Sequence, residues 1–265
     1  MLKSIKNILR RRIPSLRAWL IAIKFTFLDS TPPNRNFIFV IPRKNYWIVK
    51  SRKLTLLYPK EGLRRPNPKI SQKYTYKNFV EVKKGDIVCD VGAFIGEFTL
   101  SIADIASKII LFEPDPNNYR ILKRNTAHLK NITILRNPLW KENTPLEFKL
   151  GYPSVDSSLI NVDSSVERGR IKLQAKRLDK VFHNLNLERI DFLKIDAEGA
   201  EPEVLEGAKD IFTKIHKIVL DCSPERFGKS TRNTAMNILK RAGFKIKTRG
   251  NMVFGWQKKD LISKR

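Results

Sequence analysis

From residue 80 onward the apolar positions fall into short runs, each followed by an amphipathic stretch. The runs at 87–91, 108–112, 132–136, 190–195 and 216–221 are nearly continuous, as in strands buried on both faces of a parallel sheet. Helical periodicity fills the intervals, over 96–106, 116–129, 178–185, 201–212 and 231–242. Asp115 before Pro116 suits an N-cap, Pro202 suits a first helical turn, and Gly243 suits a helix end. This alternation predicts an α/β fold, a mostly parallel sheet with helices on both faces. Two last β runs, Phe244–Thr248 and Met252–Trp256, flank an Arg-Gly-Asn turn and predict a closing antiparallel hairpin. Residues 145–178 are less regular, with short β pieces at 146–150 and 171–175.

The first part of the chain follows another pattern. Leu2, Ile5, Leu9, Ile13, Leu16, Leu20, Ile23 and Phe27 recur every three or four positions with Lys and Arg between them. Residues 1–28 therefore read as a basic amphipathic segment, divided by Pro14. Its apolar part, 19–28, contains Lys24 and is too short for a membrane span of about 20 residues. Three readings stay open for it: a helix docked on the protein, an interfacial anchor at an anionic membrane, and a targeting signal. A Pro/Asn linker at 29–36 leads to three short β runs at 37–41, 46–49 and 54–58, then to a loop at 60–71. The expected division is a basic N-terminal extension, 1–79, and an α/β domain, 80–265.

Charge adds one feature. The net charge is +26, and residues 1–80 hold 19 Lys and Arg against 2 Asp and Glu. A basic arm of this kind suits nucleic acid, an anionic membrane or an acidic substrate, and charge alone does not choose. The two cysteines, Cys89 and Cys222, end apolar runs and read as buried thiols. A reducing, cytoplasmic setting fits them, with residues 1–28 allowing peripheral membrane attachment. No Cys or His spacing suits a metal, so no metal site is expected, and no serine-hydrolase elbow, zinc-protease helix or Walker loop is present.

Candidate chemistry sits at strand ends. Asp90-Val91-Gly92-Ala93-Phe94-Ile95-Gly96 follows the first parallel strand and reads as a loop that admits a ligand close to the backbone. Glu113, at the end of the next strand, is placed to accept hydrogen bonds from ribose hydroxyls, and Asn137 to meet an adenine edge. Asp196-Ala197-Glu198-Gly199-Ala200-Glu201 brings three carboxylates to a further strand end. They suit an ammonium ligand, orientation of a hydroxyl, base catalysis, or capping of the helix that follows. The loop lacks the extra glycine that admits a pyrophosphate, which speaks against a nicotinamide cofactor.

These residues resemble a family. Asp90–Thr99, Phe112-Glu113-Pro114, Phe192–Glu201 and Val204-Leu205-Glu206-Gly207-Ala208 look like the FkbM-type methyltransferases, with the last two blocks the most specific. The resemblance covers about residues 80–260. It implies the class I methyltransferase (Rossmann-like) fold, a seven-stranded sheet whose antiparallel strand comes from the terminal hairpin, and S-adenosylmethionine as cofactor. It implies O-methylation, often of a sugar or glycan hydroxyl. Carried over by position, Asp90, Gly92 and Gly96 frame the methionine part of the cofactor, Glu113 holds its ribose, and Asn137 lies near its adenine. Asp196 and Glu198 sit beside the sulfonium and the acceptor, as catalytic candidates. Phe94 stands where members usually carry a small polar residue. Two competing functions are an RNA methyltransferase that uses the basic arm, and a membrane-surface protein that keeps an inactive cofactor fold.

Overall fold

A computed structural model describes residues 39–50, 55–64, 66–67, 69–160 and 167–257. The expected amphipathic segment 1–28 and the linker 29–36 lie outside the described residues. The chain forms two compact units, residues 1–66 and 67–265. The larger unit thus begins 13 residues earlier than the expected boundary at 79/80. No described helix is long and apolar enough to cross a membrane.

The first unit holds an antiparallel sheet of β1 (Phe39–Pro42), β2 (Tyr46–Lys50) and β3 (Thr55–Pro59). Trp47, Val49, Leu56 and Tyr58 are buried at alternating positions, as period-two patterning requires. The segment 60–71, expected as a loop, holds a 3-10 turn at Lys60–Gly62 and the start of α1 (Ile70–Lys73).

The second unit is organised by a seven-stranded sheet. Its strands are β4 (Ile87–Val91), β5 (Lys108–Phe112), β6 (Ile132–Leu135), β9 (Ile190–Ile195), β10 (Ile215–Asp221), β11 (Lys245–Arg249) and β12 (Met252–Trp256). They lie in the order β11-β12-β10-β9-β4-β5-β6. The pairs β10–β9, β9–β4, β4–β5 and β5–β6 are parallel, and β12 runs against both neighbours, β10 and β11. This is the class I methyltransferase arrangement. A separate hairpin, β7 (Pro145–Leu150) with β8 (Gly169–Gln174), stands outside the sheet. In β5, Ile110 and Phe112 enter one core and Ile109 and Leu111 the other, so both faces are covered. That double burial explains why the strands read as continuous apolar runs.

The helices are α2 (Glu97–Ile102), α3 (Pro116–Asn125), α4 (Leu178–Asn184), α5 (Glu201–Glu206) and α6 (Arg232–Arg241). Asp115 caps α3 as expected, accepting from the N–H groups of Asn117 at 2.8 Å and Asn118 at 3.2 Å. The helix expected over 201–212 is divided: α5 ends at Glu206, and a 3-10 stretch follows at Lys209–Lys214. Gly207 lies at the division, where an added Cβ would stand 2.2 Å from the Trp140 carbonyl oxygen. A neighbouring backbone, invisible in local periodicity, decides that contact.

Chain order reverses between β4 and β9. From β4 the chain moves out to β5 and β6, and β9 then returns to the other side of β4. In open α/β sheets such a switch point opens a crevice beyond the carboxyl ends of the two strands. Asp90 is the fourth residue of β4, and Asp196 immediately follows β9.

Candidate active site

The floor of the crevice is a buried ion pair. Lys194 and Asp90 stand side by side on adjacent strands. The lysine Nζ donates to Asp90 Oδ1 at 2.8 Å, to the Gly92 carbonyl at 2.9 Å and to the Val91 carbonyl at 3.1 Å. Thr99 Oγ1 donates to Asp90 Oδ2 at 2.8 Å. The structure therefore places Asp90 beneath the glycine loop, tying β4, β9 and α2 together. Lys194 had a readable signal: it is a lone cation in the run Ile190–Ile195, and a buried lysine requires a partner.

The loop itself is set by close approach. Gly92 has φ +74, and a Cβ there would stand 1.9 Å from the Asp196 carbonyl oxygen. This glycine lets the loop after β4 touch the turn after β9. Gly96, at φ +91, starts α2 against Leu122 and Thr126 of the neighbouring helix region. Phe94 has φ +52 and is buried, and its N–H donates to Glu113 Oε2 at 2.8 Å. The backbone of Phe94, at least, thus serves the site.

Glu113 is buried at the end of β5. Its Oε1 also accepts from the Asp115 N–H at 2.9 Å and from Asn118 Nδ2 at 3.4 Å. Burial, with the Asp115 charge next, pushes its carboxyl up to about 8, against the pull of these N–H donors. Between pH 4.5 and about 8 the folded protein therefore holds a proton that the unfolded chain has released. Stability falls as pH rises through that window. Urea unfolding of wild type and Glu113→Gln at pH 5 and pH 8 checks this. The wild type is expected to lose more than about 1 kcal/mol relative to the variant between the two. A constant difference would show that Glu113 ionises alike in both states.

Asn137 is half-buried beyond β6, and its Nδ2 donates to the Gln174 carbonyl at 2.7 Å. It joins the end of the sheet to the β7–β8 hairpin.

The opposite wall is acidic. Asp196 and Glu198 are joined by Glu225, from the loop after β10, and these three carboxyls offer oxygens within 4.8 Å of one another. Such a group suits a divalent cation, which takes oxygen ligands, and it equally suits an organic cation. Glu198 sits at φ +51, ahead of Gly199 at φ +91, and Ser158 Oγ donates to its carbonyl at 2.7 Å. No hydrogen bond reaches its carboxyl among the described residues. Burial, then the charges of Asp196 and Glu225, push that carboxyl well above the ordinary range. Burial, followed by Asp196, likewise pushes Glu225 up to about 9, and its Oε2 is buried without a hydrogen-bond partner. Glu201 is structural: it accepts from the N–H groups of Ala197 and Gly199 and from Thr231 Oγ1.

Two residues at the end of α1 complete this wall. Tyr74 donates through its hydroxyl to Asp196 Oδ2 at 2.6 Å. Lys73 Nζ lies 2.7 Å from Asp221 Oδ2 and 3.5 Å from Asp196 Oδ2. Sequence reading missed both, because a helix of four residues has no periodicity to announce it.

The residues fit S-adenosylmethionine. That molecule carries a sulfonium, an ammonium and a ribose diol, and no phosphate. The acidic wall, with the orphaned Glu225 Oε2, suits its cations. Glu113 keeps a second lone pair on Oε2, beyond the one that binds Phe94 N–H, to accept from a hydroxyl.

Comparison with known proteins agrees. Residues 90–246 match the methyltransferase FkbM domain. The chain is 23% identical over 181 residues to the 2-O-methyltransferase NoeI of Sinorhizobium fredii, covering 62% of this chain and 74% of that protein. It is 24% identical over 142 residues to the hexuronic acid methyltransferase AglP of Haloferax volcanii, covering 53% and 57%. It is 30% identical over 205 residues to the AMB antimetabolite synthetase AmbE of Pseudomonas aeruginosa, 62% of this chain but only 10% of that much longer protein. The crystal structure of a methyltransferase FkbM from Methylobacillus flagellatus KT superimposes with a TM-score of 0.50 at 16% identity, over 72% of this chain and 50% of that one. The domain match spans more than half of the sequence, and the chain belongs to the FkbM family of S-adenosylmethionine-dependent methyltransferases.

Proposed function

We propose that this protein methylates a hydroxyl group of a sugar or glycan. The observation that carries the reading is the environment of Glu198. It is a carboxyl just beyond the end of β9 that no hydrogen bond reaches among the described residues, pushed toward the proton-bound form by burial and by Asp196 and Glu225. Asp196 beside it is held by a tyrosine hydroxyl and a lysine. Neighbouring carboxyls in such different surroundings divide their roles, one taking up a proton and one orienting. Two relatives whose names state a 2-O-methyltransferase and a hexuronic acid methyltransferase support a sugar acceptor.

S-adenosylmethionine, when bound, supplies an electrophilic methyl group on a cationic sulfur. The protein's part is to place a hydroxyl oxygen in line with that methyl and to remove the hydroxyl proton. In this reading Asp196 accepts a hydrogen bond from the acceptor and fixes its direction. Glu198, in its ionised form, would take the hydroxyl proton while the methyl group exchanges its bond to sulfur for one to oxygen, the sulfur leaving as a neutral thioether. Glu113 and Asn137 hold the nucleoside end, and Gly92 and Gly96 shape the loop between. Lys194 and Asp90 keep β4 and β9 at fixed spacing beneath.

Tritium transfer from methyl-labelled S-adenosylmethionine tests the proposal. The panel comprises neutral monosaccharides, uronic acids, lipid-linked glycans and total RNA. Label in a sugar or glycan fraction is expected. Label in RNA alone would replace the reading with the RNA alternative that the basic arm raises. Cofactor binding in calorimetry with label in no fraction would also count against a glycan acceptor.

A further inference from the structure

We infer that Lys73 and Tyr74 are positioning residues of the methyl-transfer site: the lysine ammonium is the fixed counter-charge of the strand-end aspartates Asp196 and Asp221, and the tyrosine hydroxyl sets the direction of Asp196. This inference rests on the function proposed above and adds residues that precede the matched family domain, which begins at residue 90.

The geometry is specific. Asp196 immediately follows β9 and Asp221 ends the adjacent parallel strand β10, and one ammonium reaches both carboxylates. Lys73 Nζ stands between them, 2.7 Å from one and 3.5 Å from the other. Ser223 gives Asp221 Oδ1 two further donors, its N–H at 3.2 Å and its Oγ at 2.7 Å. Tyr74 is fixed on two sides. Its ring packs edge-on against Phe98 at 5.2 Å, and Lys194 Nζ lies 5.0 Å from the ring centroid. A hydroxyl on a ring so held has little freedom, and it points at Asp196 Oδ2.

The backbone of this segment is itself secured. Arg249, at the end of β11, donates to the carbonyls of Gln72 at 2.9 Å, Lys73 at 2.6 Å and Thr75 at 3.1 Å. Its guanidinium also lies over the Phe254 ring, 5.1 Å from the centroid. Both positioning residues therefore hang from a clamped turn. Burial draws the Lys73 ammonium toward neutrality, but Asp196 and Asp221 outweigh it and hold the charge, with the net shift upward. Glu225 also faces this ammonium, which opposes the upward shift of that carboxyl.

Two measurements test the assignment. The first needs neither cofactor nor acceptor. Competitive acetylation with acetic anhydride at pH 9 to 10, read by mass spectrometry, compares Lys73 with the exposed Lys84. Lys73 is expected to react at least tenfold more slowly, and to approach the Lys84 rate when Asp196 and Asp221 are both changed to Asn. Equal rates in the wild type would overturn the counter-charge. The second uses the labelled-methyl assay on the acceptor fraction that the wild type modifies. Tyr74→Phe and Lys73→Met are expected to lower kcat about tenfold with the Kd for S-adenosylmethionine within threefold. Lys73→Arg, which keeps the charge, recovers most of the loss. Variants that fold and bind cofactor with unchanged kcat would overturn the positioning role. Slow labelling of Lys73 in a protein that methylates nothing in the panel would instead sink the proposed function and leave the counter-charge standing.

Discussion

Glu198→Gln is expected to lower kcat by about two to four orders of magnitude, the range for loss of a general base, while S-adenosylmethionine still binds. Glutamine keeps the shape and size of the side chain and cannot take a proton. The backbone at this position directs the carboxyl to its place. A non-glycine residue in the left-handed region costs of order 1–3 kcal/mol and persists where the surroundings enforce it. Here Ser158 holds the Glu198 carbonyl, and Arg226 packs against Gly199, where an added Cβ would stand 3.2 Å away. The carboxyl so placed lies with Asp196 and Glu225, and both favour its protonated form. A base must be ionised to act, so the wild-type rate should rise with pH, with a midpoint well above the ordinary carboxylate range. The Gln variant should show a small residual rate without that rise. Labelled-methyl turnover from pH 6 to 9.5, with cofactor affinity followed by calorimetry, checks both points. A variant within threefold of wild-type kcat would remove Glu198 from proton transfer.

Lys194→Met should cost about 3–5 kcal/mol of folding stability, the usual penalty for breaking a buried pair by removing one partner. Lys194 and Asp90 have 3% and 0% of their side-chain surface exposed. The three contacts of Nζ use all three ammonium protons, so methionine leaves two carbonyls and one carboxylate oxygen without their donor. Against a typical total of about 5–15 kcal/mol, this is a large share. Asp90→Asn with Lys194→Met removes both charges and should recover part of the loss. Urea denaturation of the two single variants and the double variant measures the coupling. A Lys194→Met loss below about 1 kcal/mol would mean that the pair contributes little.

Much of this architecture was legible in the sequence because burial on both sheet faces writes itself as continuous apolar runs. The Asp115 cap, the glycine loop and the terminal hairpin were legible for local reasons: each depends on residues within a few positions. Asp196 and Glu198 were legible as an acidic strand end, but their partner Glu225 comes from the next strand's loop, and no spacing links them. Asp90 illustrates a second limit. Its place at a strand end could be read, whereas its direction, down onto Lys194 and Thr99, depends on a neighbouring strand and helix. The same holds for Gly207, whose role is fixed by a carbonyl 67 positions away. Lys73 and Tyr74 lie between the expected loop at 60–71 and the first parallel strand, where the pattern announces no element, and only tertiary contact gives them a function.

The hold of Arg249 on residues 72, 73 and 75 has a consequence for the order in which the protein is made. Translation supplies Asp90, Glu113, Asp196 and Glu198 well before it supplies Arg249. A growing chain can thus present the glycine loop and the acidic wall while Lys73 and Tyr74 still lack their anchor. The strand β12, which covers the open edge of β10, arrives later again. On the inference drawn for Lys73 and Tyr74, a chain that folds without Arg249 turns over about tenfold more slowly, and full speed waits for the final hairpin to be synthesised.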